Sequence, residues 1–391
     1  MTNTLPKNSR RRFLGIAVTS LAATAFGSSL SPKGAPTRSP NPALHNAPST
    51  SPSSFSAPPT NSPSNRAPTP SPKGVLNSLK NANAWLNSEP LSATSLAGKV
   101  VLVDFCTYSC INWLRTLPYI RAWSEKYKDQ GLVVIGIHTP EFGFEHNIDN
   151  VRLALKTMKV EYPIAIDNDR SIWNAFDNQY WPALYLLDSR GRIQYHRFGE
   201  GDYIQGEKTI QQLLSGTGAG NINHDLVDIN PPGIEAAADW NNLGSGENYL
   251  GYQRTENFSS PGGQMPDKQF TYKFPNKLAL NQWALSGDWT MQEHAILLNQ
   301  PHGQIAYQFH ARDLHLVMGA AEKLKPIRFK VLIDDRQPGS AHGMDVTEEG
   351  FGSVSEPRLY QLIRQAGPIT DRRFTIGFLD PGLEAFSFTF G

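Results

Sequence analysis

Residues 100–113 read VVLVDFCTYSCINW and hold both cysteines of the 391-residue chain, Cys106 and Cys110. The apolar run at 100–105 is typical of a buried strand. A helix is predicted over 111–130, because apolar residues recur there at helical spacing and Gly131 ends the pattern. The sequence therefore places Cys110 where a strand gives way to a helix.

The same alternation continues toward the C-terminus. Further strands are predicted at 132–137, 164–166, 183–187 and 193–198, and helices at 148–158 and in a segment that ends near Leu214. The turn at 188–191 makes the last two strands a hairpin. This order of elements predicts an α/β thioredoxin fold over residues 75–215.

Several short motifs resemble one family within that fold. They lie at 103–105 with Cys110, and at 107–112, 138–142, 178–182 and 198–203. These motifs are similar to the thioredoxin-like part of DipZ-type cytochrome c biogenesis proteins. The resemblance implies a thiol-disulfide oxidoreductase of the TlpA/redoxin type, in which Pro182 forms a cis bond with Trp181 and faces the active cysteine.

Cys110 is the predicted nucleophile. A thiol at a helix N-terminus lies near unpaired N–H groups and the positive end of the helix dipole, which favour the reactive thiolate. An inert buried cysteine is the alternative. The resemblance gives Asp104 the role of a buried acid that assists proton transfer, and burial should raise the pKa of its carboxyl group. Trp113 and Trp181 are expected to line the substrate groove.

The second, resolving cysteine of the family is replaced. Trp113 occupies its position, and Cys106 stands where the family has a tryptophan. Intramolecular release of a mixed disulfide needs that second thiol. Three outcomes are compatible with the sequence: Cys110 acts alone and an outside thiol resolves its adduct, Cys110 pairs with Cys106 across the loop, or the site is redox-inactive and only its groove binds.

A peroxidase is a further alternative, because Thr107-x-x-Cys110 matches half of the peroxiredoxin pattern Pro-x-x-x-Thr-x-x-Cys. Position 103 is valine, however, so the match is incomplete. No cofactor is predicted. Four potential metal ligands share one loop, and we expect them to be solvated rather than to bind a metal. They are His138, Glu141, Glu145 and His146.

The charge distribution argues against a nucleic-acid binder. The formal net charge is +1, but nine of the 36 basic residues precede the first acidic residue, Glu89. The remaining 27 basic residues face 35 acidic ones, so the folded part lacks the basic surface that phosphate contacts need.

The N-terminus resembles a twin-arginine export signal. Arg10, Arg11 and Arg12 precede Phe13 and an uncharged apolar run, and a small-residue cleavage site follows at 23–25. Residues 1–30 are therefore the predicted signal, and 31–74 form a predicted disordered Pro/Ser-rich linker. This predicts a periplasmic or other extracytoplasmic location, with a membrane tether if the signal is not cut.

A second domain is predicted beyond a linker at 216–238. Short β-like runs at 304–309, 313–318, 327–333, 358–364, 373–379 and 385–390 predict an all-β sandwich over 239–391. Motifs in this region resemble the C-terminal domain of DipZ-type proteins, which is similar to a carbohydrate-binding jelly roll. Trp283, Trp289 and Tyr360 are predicted core residues, and the alternative is that they are exposed and stack on a sugar or peptide.

The sequence thus predicts an exported thioredoxin-like oxidoreductase that acts through Cys110 on extracytoplasmic proteins or small thiols. The resemblance implies a CcdA-like membrane protein as a donor of reducing equivalents. Whether the chain is an enzyme is open, because a redox-inactive binding module for a peptide or glycan fits the same sequence.

Overall fold

The strand that ends at Cys106 lies inside a six-stranded mixed sheet. The computed structural model describes residues 74–218, 220, 222–321 and 325–391, so the predicted export signal and the predicted linker up to residue 73 lie outside the described residues. The strands of the sheet are β1 Ala84–Leu86, β2 Val100–Cys106, β3 Leu132–His138, β4 Ile164–Ile166, β5 Ala183–Leu187 and β6 Ile193–Phe198. Their order is β1-β4-β3-β2-β5-β6.

Strand β2 is parallel to β3 and antiparallel to β5. All seven residues of β2 are buried, which is why its sequence is apolar at every position except Asp104. The edge strand β6 instead alternates half-buried and exposed residues. The burial of β2 on both faces fixes Cys106 in the interior of the sheet.

Four helices accompany this sheet in the described part of the chain. They are α1 Ile111–Tyr127, α2 Ile148–Thr157, α3 Ser171–Ala175 and α4 Tyr203–Ser215. The predicted thioredoxin-like order is confirmed, and the short elements β1 and α3 are additions to it. No helix among the described residues has both the length and the apolarity needed to cross a bilayer.

The C-terminal region is built from antiparallel strands. They are β7 Asn248–Tyr249, β8 Gln269–Tyr272, β9 Trp283–Met291, β10 Ile296–Leu298, β11 Gln304–Phe309, β12 Asp313–Ala320, β13 Ile327–Ile333, β14 Phe351–Val354, β15 Arg358–Arg364, β16 Arg372–Phe378 and β17 Leu383–Phe390. The six predicted runs correspond to β11, β12, β13, β15, β16 and β17. We call residues 239–391 the β region.

Strand β9 joins the two halves of the β region. Its first part pairs with β11, and its second part pairs with β8 and β10. Gly287, with φ 97°, lies between the two parts, where a left-handed backbone favours glycine. The predicted β-sandwich class is confirmed. Trp283, Trp289 and Tyr360 are fully buried in its core, so the alternative of exposed stacking platforms is wrong.

The segment between the two regions packs against the helices. Glu235 forms an ion pair with Arg121 of α1 at 2.7 Å, and the Val227 N–H donates to Glu207 of α4 at 2.9 Å. All described residues belong to one compact unit. The thioredoxin-like region and the β region are therefore held together by packing as well as by the chain.

The close approach of two β-region segments gives a stability prediction. A Cβ atom at Gly251 would overlap the backbone of Glu293 and His294, whereas one at Gly246 would meet nothing. We expect Gly251→Ala to lower the free energy of unfolding by about 1–3 kcal/mol, because backbone must move. Gly246→Ala, the matched control, should stay within about 0.5 kcal/mol of wild type. Urea unfolding followed by tryptophan fluorescence measures both, and equal values for the two variants would contradict this packing.

Candidate active site at the start of helix α1

Cys110 is the residue from which α1 begins. Its backbone is extended, with φ −82° and ψ 115°, and its carbonyl accepts the Leu114 N–H at 3.0 Å. Its side chain is 4% exposed, and the thiol contacts the Trp181 carbonyl oxygen at 3.8 Å. The predicted position of this sulfur at a helix N-terminus is therefore the observed one, but very little of it reaches the surface.

The loop that carries Trp181 is held rigidly opposite Cys110. The Trp181–Pro182 peptide bond is cis, as the family resemblance implies. The Trp181 indole N–H donates to the Thr139 carbonyl at 3.0 Å, and the Pro182 carbonyl accepts the Gly199 N–H at 2.8 Å. Both ends of this short loop are thus fixed, and the Trp181 carbonyl is aimed at the thiol.

Trp113 lies beneath the site and not in an open groove. Its side chain has no exposed surface, which differs from the groove-lining position predicted for it. Its indole N–H donates to the Asp104 Oδ2 atom at 2.9 Å, and the Tyr162 hydroxyl donates to the same oxygen at 3.4 Å. The residue in place of the resolving cysteine is therefore a direct hydrogen-bond partner of the buried acid.

Asp104 is fully buried, and its Oδ1 atom has no hydrogen-bond partner among the described residues. Burial raises the pKa of this carboxyl group to about 7, against the lowering effect of the bonds from Trp113 and Tyr162. Asp104 is thus placed to change its protonation state near neutral pH, as a proton-transfer role requires.

Cys106 occupies a different environment from Cys110. It is the last residue of β2, has no exposed surface, and is not joined to Cys110 by a disulfide in the described part of the chain. Burial raises the pKa of its thiol well above the usual value, and the charges of Asp104, Glu145 and Cys110 raise it further. Cys106 is therefore a poor nucleophile in this structure.

The loop between the cysteines is fixed by Glu145. The Ser109 hydroxyl donates to Glu145 Oε1 at 2.6 Å, and the N–H groups of Glu141 and Phe142 donate to Oε2 at 2.7 and 2.9 Å. Glu145 is fully buried, so the prediction that it is solvated is wrong. Burial also raises the pKa of this carboxyl group, although its bonds with Ser109 and Phe142 oppose the shift.

His138 was also predicted to be solvated, and this prediction is wrong. It ends β3, is buried, and its ring stacks on Tyr108 with centroids 5.8 Å apart. Burial lowers the pKa of its imidazole to about 3, so the ring is neutral at physiological pH. No group of three or more potential metal ligands occurs in the described ranges.

Three contacts of the site could not be predicted from the sequence. Tyr162 reaches Asp104 from 58 positions away, Glu145 reaches Ser109 from 36, and Tyr108 donates to the Pro357 carbonyl 249 positions away at 3.1 Å. Such contacts depend on the packing of distant segments.

The fold and the site are similar to those of thioredoxin-like redoxins. Residues 77–196 match the AhpC/TSA family, and residues 245–391 match a domain described as a thioredoxin like C-terminal domain. A solved thiol-disulfide isomerase from Corynebacterium glutamicum aligns at 25% identity with a TM-score of 0.31, covering 34% of this chain and 92% of that one.

The chain is also similar to particular proteins. It is 33% identical over 323 residues to DipZ of Mycobacterium bovis, which is 81% of this chain and 43% of DipZ. It is 27% identical over 139 residues to the thiol-disulfide oxidoreductase YkuV of Bacillus subtilis, covering 36% of this chain and 93% of YkuV. The predicted resemblance to DipZ-type proteins is confirmed, and the chain spans less than half the length of the DipZ relatives.

The raised pKa of Asp104 predicts a pH dependence of stability. Between pH 4 and pH 7 the folded state holds this proton and the unfolded state, with a carboxyl pKa of 3.8, has lost it. Folding stability should therefore fall as the pH rises through this window. Asp104→Asn keeps an acceptor for Trp113 and removes the titration. As the pH rises from 5 to 8, we expect the free energy of unfolding of the variant to increase by on the order of 3 kcal/mol relative to that of wild type.

Urea unfolding of both proteins at the two pH values measures this difference. Because the comparison is between proteins at each pH, other titrating groups cancel to first order. A stability difference that does not change with pH would show that Asp104 is ionised throughout.

Proposed function

We propose that this chain is an extracytoplasmic thiol-disulfide exchange protein that acts through the single thiol of Cys110. The observation that carries the proposal is the placement of this sulfur at the N-terminus of α1, 3.8 Å from the Trp181 carbonyl in the cis-proline loop. A helix N-terminus stabilises developing negative charge on sulfur, and the fixed loop defines one side of the reaction site.

The environments of the other groups favour one thiol over two. Cys106 is enclosed in β2 with a thiol pKa raised by burial, so attack by its thiolate is disfavoured. Trp113 fills the place where a resolving thiol would approach, and its N–H is already bonded to Asp104. The thiol that resolves the mixed disulfide must then come from outside the chain.

The exchange we infer has two balanced steps. The Cys110 thiolate attacks one sulfur of a substrate disulfide, which forms a mixed disulfide and expels the other substrate sulfur as a thiolate. An outside thiolate then attacks the substrate sulfur of the mixed disulfide, which restores Cys110. The net result is disulfide exchange: one substrate sulfur leaves as a thiolate and the other ends in a disulfide with the outside thiol, with Asp104 accepting or supplying a proton through its pKa near 7.

The sequence and the relatives support the substrate class and the location. YkuV carries the name of a thiol-disulfide oxidoreductase, and we infer that disulfides of extracytoplasmic proteins or small thiols are the substrates here. The twin-arginine pattern at Arg10–Arg12 supports export, with a membrane tether if the signal is uncut. A CcdA-like membrane protein is the proposed source of reducing equivalents.

A redox-inactive binding module is the second candidate function. The observation in its favour is the 4% exposure of Cys110, which is low for a residue that must meet a substrate sulfur. Because Trp283, Trp289 and Tyr360 are buried, these three side chains cannot stack on a glycan. The peroxidase alternative requires a proline at position 103, where this chain has valine.

Adduct formation with glutathione disulfide separates these functions. We expect wild type and Cys106→Ser each to gain one glutathionyl group by intact mass, and Cys110→Ser to gain none, because only Cys110 attacks. Adding reduced glutathione should then remove the adduct. An internal disulfide in wild type would favour the paired-thiol function instead. Failure of every folded variant to form an adduct would favour the binding module.

A further inference from the structure

The β region clamps the loop that separates the two cysteines. Tyr108, two residues before Cys110, is 1% exposed, and its hydroxyl donates to the Pro357 carbonyl of the β region at 3.1 Å. On the other side the loop is held by the bond from Ser109 to Glu145. The segment next to Cys110 therefore has a neighbour from each of the two regions.

An apolar contact continues this clamp. Phe386 of β17 packs against Phe142 and Phe144, with ring centroids 5.2 and 4.8 Å apart, and Phe144 in turn lies 5.9 Å from Tyr108. Phe386 shares one buried apolar cluster with the core of the thioredoxin-like region, and so do three other β-region side chains. These are Ala295, Val317 and Leu359.

Polar contacts border the apolar ones. The Tyr249 hydroxyl donates to Glu141 Oε1 at 2.7 Å, and Arg254 forms an ion pair with the same oxygen at 3.3 Å. Glu141 donates its own N–H to Glu145, which holds Ser109. Displacing the β region would thus loosen the loop between the two cysteines, both through Tyr108 and through the hydrogen bond from Glu141 to Glu145.

We propose that the β region is a latch on the loop beside Cys110, and that the thiol reacts only when the contacts of Tyr108, Phe386 and Tyr249 open transiently. This inference rests on the proposed function of Cys110 and adds its regulation. The latch explains how a reactive thiol is 4% exposed in the resting structure. Local opening of a weakly held contact surface is a common route to buried groups.

The alkylation rate of Cys110 tests the latch without requiring disulfide exchange. The background is Cys106→Ser, so that one iodoacetamide adduct by intact mass reports Cys110 alone. We expect the native protein to react about 100-fold more slowly than the same chain in denaturant, because reaction waits for opening. Phe386→Ala should accelerate alkylation about tenfold, since it removes the central apolar contact. Tyr108→Phe should accelerate it about threefold, since it removes one hydrogen bond.

Each variant has a matched control inside the β region and away from this surface. Phe374→Ala removes a buried phenylalanine that packs on Phe388, and Tyr272→Phe removes a buried hydroxyl that accepts the Met265 N–H at 3.1 Å. If the latch variants react no faster than these controls, general destabilisation accounts for the change and the latch is wrong. A native rate within threefold of the denatured rate also overturns it. Tyr108→Phe keeps the test valid if Phe386→Ala does not fold.

The latch and the proposed function fail in different ways. Fast alkylation of Phe386→Ala without any glutathionyl adduct would leave the latch standing and reject disulfide exchange. Adduct formation in wild type with no difference between latch variants and controls would support exchange and reject the latch.

Discussion

The hydrogen bond from the Trp113 indole to Asp104 is the constraint on which the site depends. It joins α1 to β2 beneath Cys110, at 2.9 Å and out of contact with water. A buried carboxyl group without partners would be costly, and this bond supplies one of its two donors. The same indole occupies the position from which a second thiol would act. One side chain therefore bonds an oxygen of the buried acid and, in the proposed function, leaves release of the mixed disulfide to an outside thiol.

The remaining geometry follows from the two regions packing on one loop. The thioredoxin-like region supplies the sulfur, the helix N-terminus and the cis-proline loop. The β region supplies the Pro357 carbonyl and the Phe386 ring, which hold Tyr108 and its neighbours. Because Glu145 connects Ser109 to the segment that also meets Tyr249 and Arg254, the position of the loop depends on both regions. In the proposed latch, the reactivity of Cys110 therefore depends on both regions.

Local pattern predicted much of the fold and the central residues of the site. The apolar run of β2, the helical period of α1 and the proline after Trp181 are signals contained in short stretches, and the structure has each of them. The contacts of Tyr162, Glu145 and Pro357 could not be predicted, because they join segments brought together by packing. The solvation expected for His138 and Glu145 was wrong because His138 ends β3 and stacks on Tyr108, and Glu145 accepts hydrogen bonds from Ser109 and Phe142 in the interior.

The NMR signal of the Trp113 indole N–H gives a direct test of its hydrogen bond to Asp104. Its proton lies on the bond to Asp104, so a change in the charge of that carboxylate must alter its chemical shift. With the signal assigned by its absence in Trp113→Phe, we expect a single titration with a midpoint near pH 7 that disappears in Asp104→Asn. A signal that stays constant from pH 5 to pH 9 would show that the indole and the buried acid are not coupled as described.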